Sequence, residues 1–122
     1  MKKIIAIGET QVQLISNAAT AIRYKQIFKR DLLKDLGRLN GKEDIDQLDA
    51  INYVSQLAYV MNMQAQNLVK TASEDNYLEW LENFEEQDFQ NEDTIMEILS
   101  VWNKNLATTS EQKNGQSPQQ EK

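Results

Sequence analysis

The chain has 122 residues and a formal net charge of −6, and it contains neither cysteine nor histidine. The lack of cysteine excludes disulfides, thiolate metal sites and cysteine nucleophiles, and the lack of histidine removes the commonest general base. Its length and its 40% hydrophobic content predict a single domain with a modest core, at residues 1–106. No apolar run is long enough for a signal sequence or a membrane span, so we expect an intracellular protein that does not bind membranes.

Charge is unevenly distributed along the chain. Residues 1–40 carry eight Lys or Arg against three Asp or Glu, a balance of +5, whereas residues 41–106 carry three against fourteen, a balance of −11. An acidic chain is a poor ligand for the phosphates of nucleic acids, so no nucleic-acid partner is expected, although the basic N-terminal part could attract an anionic partner. The split favours attraction between the two halves, within the fold or between two copies.

A β-hairpin is predicted over residues 3–16, with Gly8 able to adopt positive φ in the turn. A four-residue turn would pair Ile7 with Val12 and would bury one face. That face contains Ile5, Ile7, Val12 and Leu14. A three-residue turn would instead group Ile4, Ala6, Val12 and Leu14. We favour the four-residue turn because it buries two isoleucines.

Helical periodicity accounts for most of the remaining chain. Residues 49–70 predict a long central helix whose apolar face is too wide for a two-helix contact, so the rest of the chain must pack around it. Further amphipathic helices are predicted over residues 18–39, 73–86 and 91–105. Residues 107–122 are polar, which predicts a disordered tail. The expected fold is mainly α (α+β), with an N-terminal β-hairpin, a bundle of about four helices and this tail.

Carboxylates are the only plentiful reactive side chains. The pairs Glu82/Glu86 and Asp75/Glu79 have helical spacing, but they lie on the polar faces of predicted helices without an aromatic cleft. Asp44, Asp46 and the Glu92-Asp93 pair could bind a divalent cation weakly, although neither group matches a calcium-binding loop. No phosphate loop, dinucleotide fingerprint or nucleophile elbow is present. We therefore expect a protein that is not an enzyme, with no cofactor and no metal.

An ordered set of segments gives the chain a resemblance to a known family. The segments are RYKQIFKRDLLKDL at residues 23–36, LAYVM at 57–61, WLENF at 80–84, ILSVW at 98–102 and TTSEQK at 108–113. Together they resemble the tail assembly chaperones of long-tailed, siphovirus-type phages that infect Gram-positive bacteria. The resemblance extends over most of residues 3–113.

The resemblance implies a non-catalytic function in the cytoplasm of the host cell. Such chaperones bind the tape measure protein, keep this long helical rod soluble and help the major tail protein polymerise around it. They are absent from the mature virion. Many also occur as a longer form, made by ribosomal frameshifting, that reaches the major tail protein. Residues 112–114, Gln-Lys-Asn, are compatible with a slippery run of adenines, which the gene sequence would test.

A chaperone of this kind must cover the apolar stripe of its helical partner. We predict that the covering surface contains apolar residues at the margins of the core, namely Met63, Trp80, Phe89 and Trp102. The alternative, that the two tryptophans complete the core, remains open. Basic residues at Arg23, Arg30 and Lys34 could join the acidic half of a second copy, giving a homo-oligomer.

Two other classes of protein remain in competition. One is a small acidic phage-encoded regulator that imitates nucleic acid and binds a host protein. The other is a structural component of the phage tail or head. The first would need a host partner, and the second would be found in purified virions, whereas the chaperone needs the tape measure protein.

Overall fold

Two antiparallel strands and five α-helices form the part of the chain that this computed structural model describes, residues 1–40 and 45–114. Side chains are described for residues 1–39 and 45–103. In chain order the elements are β1 Lys2–Ile7, β2 Thr10–Ile15, α1 Thr20–Phe28, α2 Leu32–Asn40, α3 Gln47–Gln66, α4 Glu74–Leu81 and α5 Glu92–Asn114, with short 3₁₀ helices at Val69–Thr71 and Glu86–Phe89. The predicted mainly α fold with an N-terminal hairpin is confirmed. Within the described ranges, every helix is too short or too polar to cross a membrane.

The predicted hairpin is present, but its predicted register is wrong. Ile5 lies opposite Val12, and only residues 8–9 form the turn. Gly8 has a φ of 61°, the positive value that a type II′ turn requires at its first position, and such a turn matches the twist of the two strands. The register differs from the predicted one by two residues, so the same side chains still face the core. The predicted face is buried at all four positions, Ile5, Ile7, Val12 and Leu14, whereas Ile4 is 60% exposed.

The single helix predicted over residues 18–39 is in fact two helices, α1 and α2. The first ends at Lys29, whose φ of 61° is left-handed. Asp31 then caps the new helix α2, because its Oδ1 accepts hydrogen bonds from the backbone N–H groups of Leu33 at 2.9 Å and Lys34 at 3.2 Å. The apolar stripe continues on both sides of this break, which is why periodicity predicted one helix.

The central helix α3 is covered on several sides, as its wide apolar face predicted. Residues 53–63 are all buried, and the hairpin and the other four helices pack around α3. It begins and ends earlier than the predicted span of 49–70. Asp46 caps its first turn by accepting a hydrogen bond from the backbone N–H of Leu48 at 2.8 Å. Asn67 ends it with a left-handed φ of 59°, which asparagine tolerates.

The helix predicted over residues 73–86 is shorter than expected. Ser73 caps α4 through a 3.0 Å hydrogen bond from the backbone N–H of Asn76, but the helix ends at Leu81. The chain then bends into the 3₁₀ helix Glu86–Phe89, which places Phe89 in the core. The bend after α4 therefore decides that the ring of Phe89 points into the core.

The last helix is longer than predicted. Asn91 caps α5, because its Oδ1 accepts a hydrogen bond from the backbone N–H of Thr94 at 3.1 Å. The helix continues to Asn114 instead of residue 105, so the first part of the tail predicted from residue 107 is helical. Residues 106–114 contain neither glycine nor proline, which leaves this segment without a helix breaker. The remainder of the predicted tail, residues 115–122, lies outside the described residues.

A buried polar cluster joins α1, α2 and α3. The hydroxyl of Tyr24 donates to Asp35 Oδ2 at 2.8 Å, and Arg30 Nε donates to the same carboxylate oxygen at 2.9 Å. The Arg30 guanidinium also donates to Gln56 Oε1. Asp35 is buried, so these donors replace the water that its carboxylate loses on folding. The cluster thereby holds the two halves of the broken helix against α3.

Candidate functional site

Three of the four predicted partner-binding residues belong to the core instead of the surface. Met63, Phe89 and Trp102 are buried, and each packs within the main hydrophobic cluster. The prediction that these three residues lie at the margin of the core is therefore wrong, and for Trp102 the structure agrees with the alternative that it completes the core. The sequence placed them at helix margins, but residues 53–63 of α3 are all buried, and both Phe89 and Trp102 pack inward.

Trp80, the fourth predicted residue, is half-buried and fixed in place. Its indole Nε1–H donates to Asn62 Oδ1 at 3.0 Å, and its ring contacts Phe84 with a centroid distance of 4.9 Å. The amide of Asn62 in turn donates from Nδ2 to the backbone carbonyl of Gln13 at 2.8 Å. Trp80 thus connects α4 to α3 and, through Asn62, to the hairpin. These contacts suit the structural alternative that the sequence left open.

The basic residues predicted for self-association occupy different environments. Arg30 belongs to the buried cluster with Asp35, so its charge is already paired. Arg23 lines a cleft of about 480 Å³ between α1 and the segment after α3, together with Lys29 and Lys70. Lys34 is exposed on α2, outside the lining of this cleft. Arg23 and Lys34 remain candidates for self-association, whereas Arg30 has a structural role.

An apolar hollow of about 310 Å³ opens beside the N-terminal half of α3. α3 contributes residues at positions 47, 50, 51 and 54, the spacing of one helical face, while α5 contributes two more apolar residues one turn apart. The lining consists of Leu39, Gln47, Ala50, Ile51, Val54, Phe89, Gln90, Ile95 and Leu99. Most of these apolar side chains are only half-buried, so a partner could cover them further.

A second hollow, of about 180 Å³, adjoins the first on the side of α4. Its lining consists of Leu48, Ile51, Asn52, Ser55, Leu81, Phe84, Glu85, Glu86 and Phe89. Both hollows share Ile51 and Phe89, and we refer to the two together as the apolar groove. Leu48 is 57% exposed at its edge. Phe89 is thus the one predicted partner-binding residue that lines the groove. Its buried side chain lies at the base of the groove.

The groove exists because the hairpin covers only the other end of α3. Asn62 and Gln64, near the C-terminal end of α3, donate to backbone carbonyls of β2, with Gln64 Nε2 lying 2.6 Å from the oxygen of Ile15. The N-terminal half is flanked instead by α2, α5 and the 3₁₀ helix Glu86–Phe89. Beneath it, the Ser55 hydroxyl lies 2.7 Å from that of Tyr77, and burial raises the pKa of Tyr77. The α3 side chains that line the groove are all uncharged.

The carboxylate pair predicted at Glu82 and Glu86 is not arranged as the sequence predicted. Glu82 follows the end of α4 and Glu86 lies in the next 3₁₀ helix, so this pair lacks the predicted helical spacing. A polar hollow near the hairpin turn is lined by three carboxylates, those of Asp88, Asp93 and Glu97. However, Asp88 accepts a hydrogen bond from the backbone N–H of Glu85, and Glu97 pairs with Lys3 at 3.7 Å.

The other predicted acidic groups lie apart from one another. Asp93 of the Glu92-Asp93 pair lines the polar hollow, and Glu92 is exposed. Asp75 and Glu79 are exposed on α4, and Asp46 serves as a helix cap. Asp44 lies outside the described residues. Among the residues that the structure describes, no group of three or more acidic side chains has the geometry to hold a metal ion.

The apolar groove is the feature of this fold that best suits binding. No protein family, no curated protein and no solved structure matches this chain. A partial signal for the groove is present in the sequence, because Ile51 widens the apolar face of α3 and because Ile95 and Leu99 are apolar positions one turn apart in α5. Which of these side chains stay half-covered depends on where the hairpin and the 3₁₀ helix pack.

Proposed function

We propose that this chain is a non-catalytic chaperone of phage tail assembly. It binds a helical segment of the tape measure protein in the apolar groove, keeps that protein soluble and promotes polymerisation of the tail tube. The observation that carries the proposal is the groove itself, whose half-buried apolar side chains extend along α3, α4 and α5. The resemblance of the sequence to tail assembly chaperones supplies the identity of the partner.

A groove of this kind fits the apolar face of an amphipathic helix. Such a helix presents anchors at positions i, i+3, i+4 and i+7, and a hydrophobic groove buries them by shape and without directional bonds. A tape measure protein without its tail tube exposes stripes of this type, which would otherwise aggregate. Covering the stripe and the groove together removes apolar surface from water on both partners, and this burial supplies the binding free energy.

In this proposal the protein acts in the cytoplasm of the host cell and does not remain in the mature virion. A longer frameshifted form, where one is made, would bring the major tail protein to the bound tape measure protein. Mass spectrometry of purified particles tests whether the protein is absent from the mature virion. Recovery of this chain in stoichiometric amounts would instead identify a structural component.

The central test is co-expression with the tape measure protein from the same genome, followed by size-exclusion chromatography. Two substitutions form a matched pair, because Leu48 and Leu78 are both 57% exposed but only Leu48 lines the groove. We expect Leu48→Glu to lower the amount of co-eluting tape measure protein strongly and Leu78→Glu to leave it unchanged. Circular dichroism would confirm that both variants fold.

A second matched pair lies on α5. Ile95 lines the groove, whereas its neighbour Met96 is 67% exposed and does not. Ile95→Glu should lose the tape measure protein and Met96→Glu should retain it. The proposal fails if the groove variants and their controls capture equal amounts. Capture of a host protein from a lysate without other phage proteins, with none of the tape measure protein, would favour the acidic regulator.

A further inference from the structure

The rim of the apolar groove carries negative charge. Glu85 and Glu86 line the groove beside α4, and both are exposed. Glu92 lies three residues before Ile95 in α5 and is therefore on the same side of that helix. No lysine or arginine contributes to the groove lining among the described side chains.

These rim carboxylates have no cationic partner within the described part of the chain. The ion pairs there are Lys3–Glu97 and Arg30–Asp35, and neither includes a rim residue. The cationic side chains Arg23, Lys29 and Lys70 line a different cleft. A ligand in the groove would therefore meet apolar side chains at the floor and unpaired negative charge at the edge.

We infer that the occupant of the groove is an amphipathic helix whose apolar stripe is flanked by lysine or arginine. This inference rests on the proposed function and specifies the partner segment for the same site. Cationic flanks would lie against Glu85, Glu86 and Glu92, while acidic flanks would be repelled by them. Two helices with equally apolar stripes would fit the floor of the groove equally well. The rim would distinguish them by the charge of their flanking residues.

The inference can be tested with two synthetic helical peptides that share one leucine-rich stripe. One peptide has lysine at the flanking positions and the other has glutamate. Fluorescence anisotropy with the full chain should give roughly fivefold or greater preference for the lysine peptide at low salt, the effect of a few exposed ion pairs. The preference should shrink as salt is added, because screening weakens exposed charge pairs.

Charge-reversal variants locate the effect. The double substitution Glu85→Lys and Glu86→Lys should abolish or invert the preference. The control, Glu79→Lys with Glu82→Lys, changes the net charge equally at exposed positions that do not line the groove. We expect this control to keep the preference for the lysine peptide. Equal effects of both double variants would show that net charge is responsible and would overturn the inference.

The outcomes separate this inference from the proposed function. If both peptides bind equally to the unmodified chain and Leu48→Glu still loses the tape measure protein, the proposed function stands and the charge selection is wrong. If neither peptide binds and the tape measure protein is not captured, both the inference and the proposed function are wrong.

Sedimentation velocity without peptide tests whether a second copy of the chain occupies the groove. A dimer that Leu48→Glu dissociates would identify a second copy of this chain as the occupant and would overturn the inference.

Discussion

The hydroxyl of Tyr24 donates a 2.8 Å hydrogen bond to the buried carboxylate of Asp35, across the break between α1 and α2. Arg30 donates to the same oxygen, Asp35 Oδ2. We expect Arg30→Gln to lower the free energy of unfolding by about 2 kcal/mol, because it leaves a buried carboxylate without its cation. Lys34→Gln, on the exposed face of α2, should change it by less than about 0.5 kcal/mol. Urea denaturation of both variants measures the difference, and equal stabilities would contradict this role for the cluster.

The same tyrosine makes stability sensitive to alkaline pH. Burial, and then the hydrogen bond to Asp35, holds the pKa of Tyr24 above its ordinary value of 10.0. A raised pKa in the folded state means that the folded protein keeps a proton which the unfolded chain releases. Stability from this group is therefore fully present below about pH 10 and is lost as pH rises further. Urea titrations on both sides of pH 10 should show that the free energy of unfolding declines as pH rises. Tyr24→Phe should make this decline shallower. An unchanged slope would contradict this assignment.

The two tryptophans should affect stability and not capture of the tape measure protein. Trp102 is buried, so Trp102→Ala should destabilise the fold by about 3 kcal/mol. Trp80→Phe keeps a ring but loses the hydrogen bond to Asn62, and should cost about 1 kcal/mol. Thermal denaturation measures both effects. Capture assays at a temperature where the variants are folded should equal those of the unmodified chain, and loss of capture by a folded variant would return that tryptophan to the binding surface.

Two glycines should respond to alanine in opposite directions. Gly8 has a φ of 61°, and a Cβ there would lie 2.5 Å from Asp88 Oδ2, so Gly8→Ala should destabilise the hairpin by about 1–3 kcal/mol. Gly37 lies within α2, and an added Cβ would meet no atom within 4 Å. Gly37→Ala should therefore stabilise the protein by about 0.5–1 kcal/mol. Chemical denaturation measures the free energy of unfolding of both variants. A change of the same sign in both would contradict the prediction.

Self-association should depend on salt if the basic residues contact the acidic half of a second copy. We expect Arg23→Glu and Lys34→Glu each to weaken association in sedimentation velocity at low salt, because each places like charges opposite one another. Lys2→Glu, at an exposed position of β1, serves as a control and should have little effect. Association that is insensitive to salt and to these substitutions would exclude a charge-based contact.

Local pattern was enough to predict the kinds of element in this chain and much of its core. The alternation of Ile5 and Ile7 predicted a buried strand face, and the wide apolar face of α3 predicted a helix covered on several sides. The predicted helices beginning at residues 73 and 91 are also present, and Ser73 and Asn91 cap them. These features depend on interactions within a few residues, which sequence spacing reports directly.

The errors arose where the local pattern permitted more than one arrangement. The hairpin could be closed by a turn of two or four residues with the same buried face, and the apolar stripe continued across the break at Lys29. Only the packing of neighbouring elements chose between these alternatives. For the same reason, spacing predicted Met63 and Phe89 at the margin of the core and left the position of Trp102 open, although all three side chains are buried.

Composition and charge of this sequence alone determined that cysteine and histidine chemistry is unavailable and that the chain is basic at one end and acidic beyond it. The tertiary structure decided which apolar side chains remain half-covered. Hydrophobic burial has no direction, so any apolar residue can end in the core or in a groove. Here the hairpin covers the C-terminal half of α3, and the groove with its acidic rim opens along the other half.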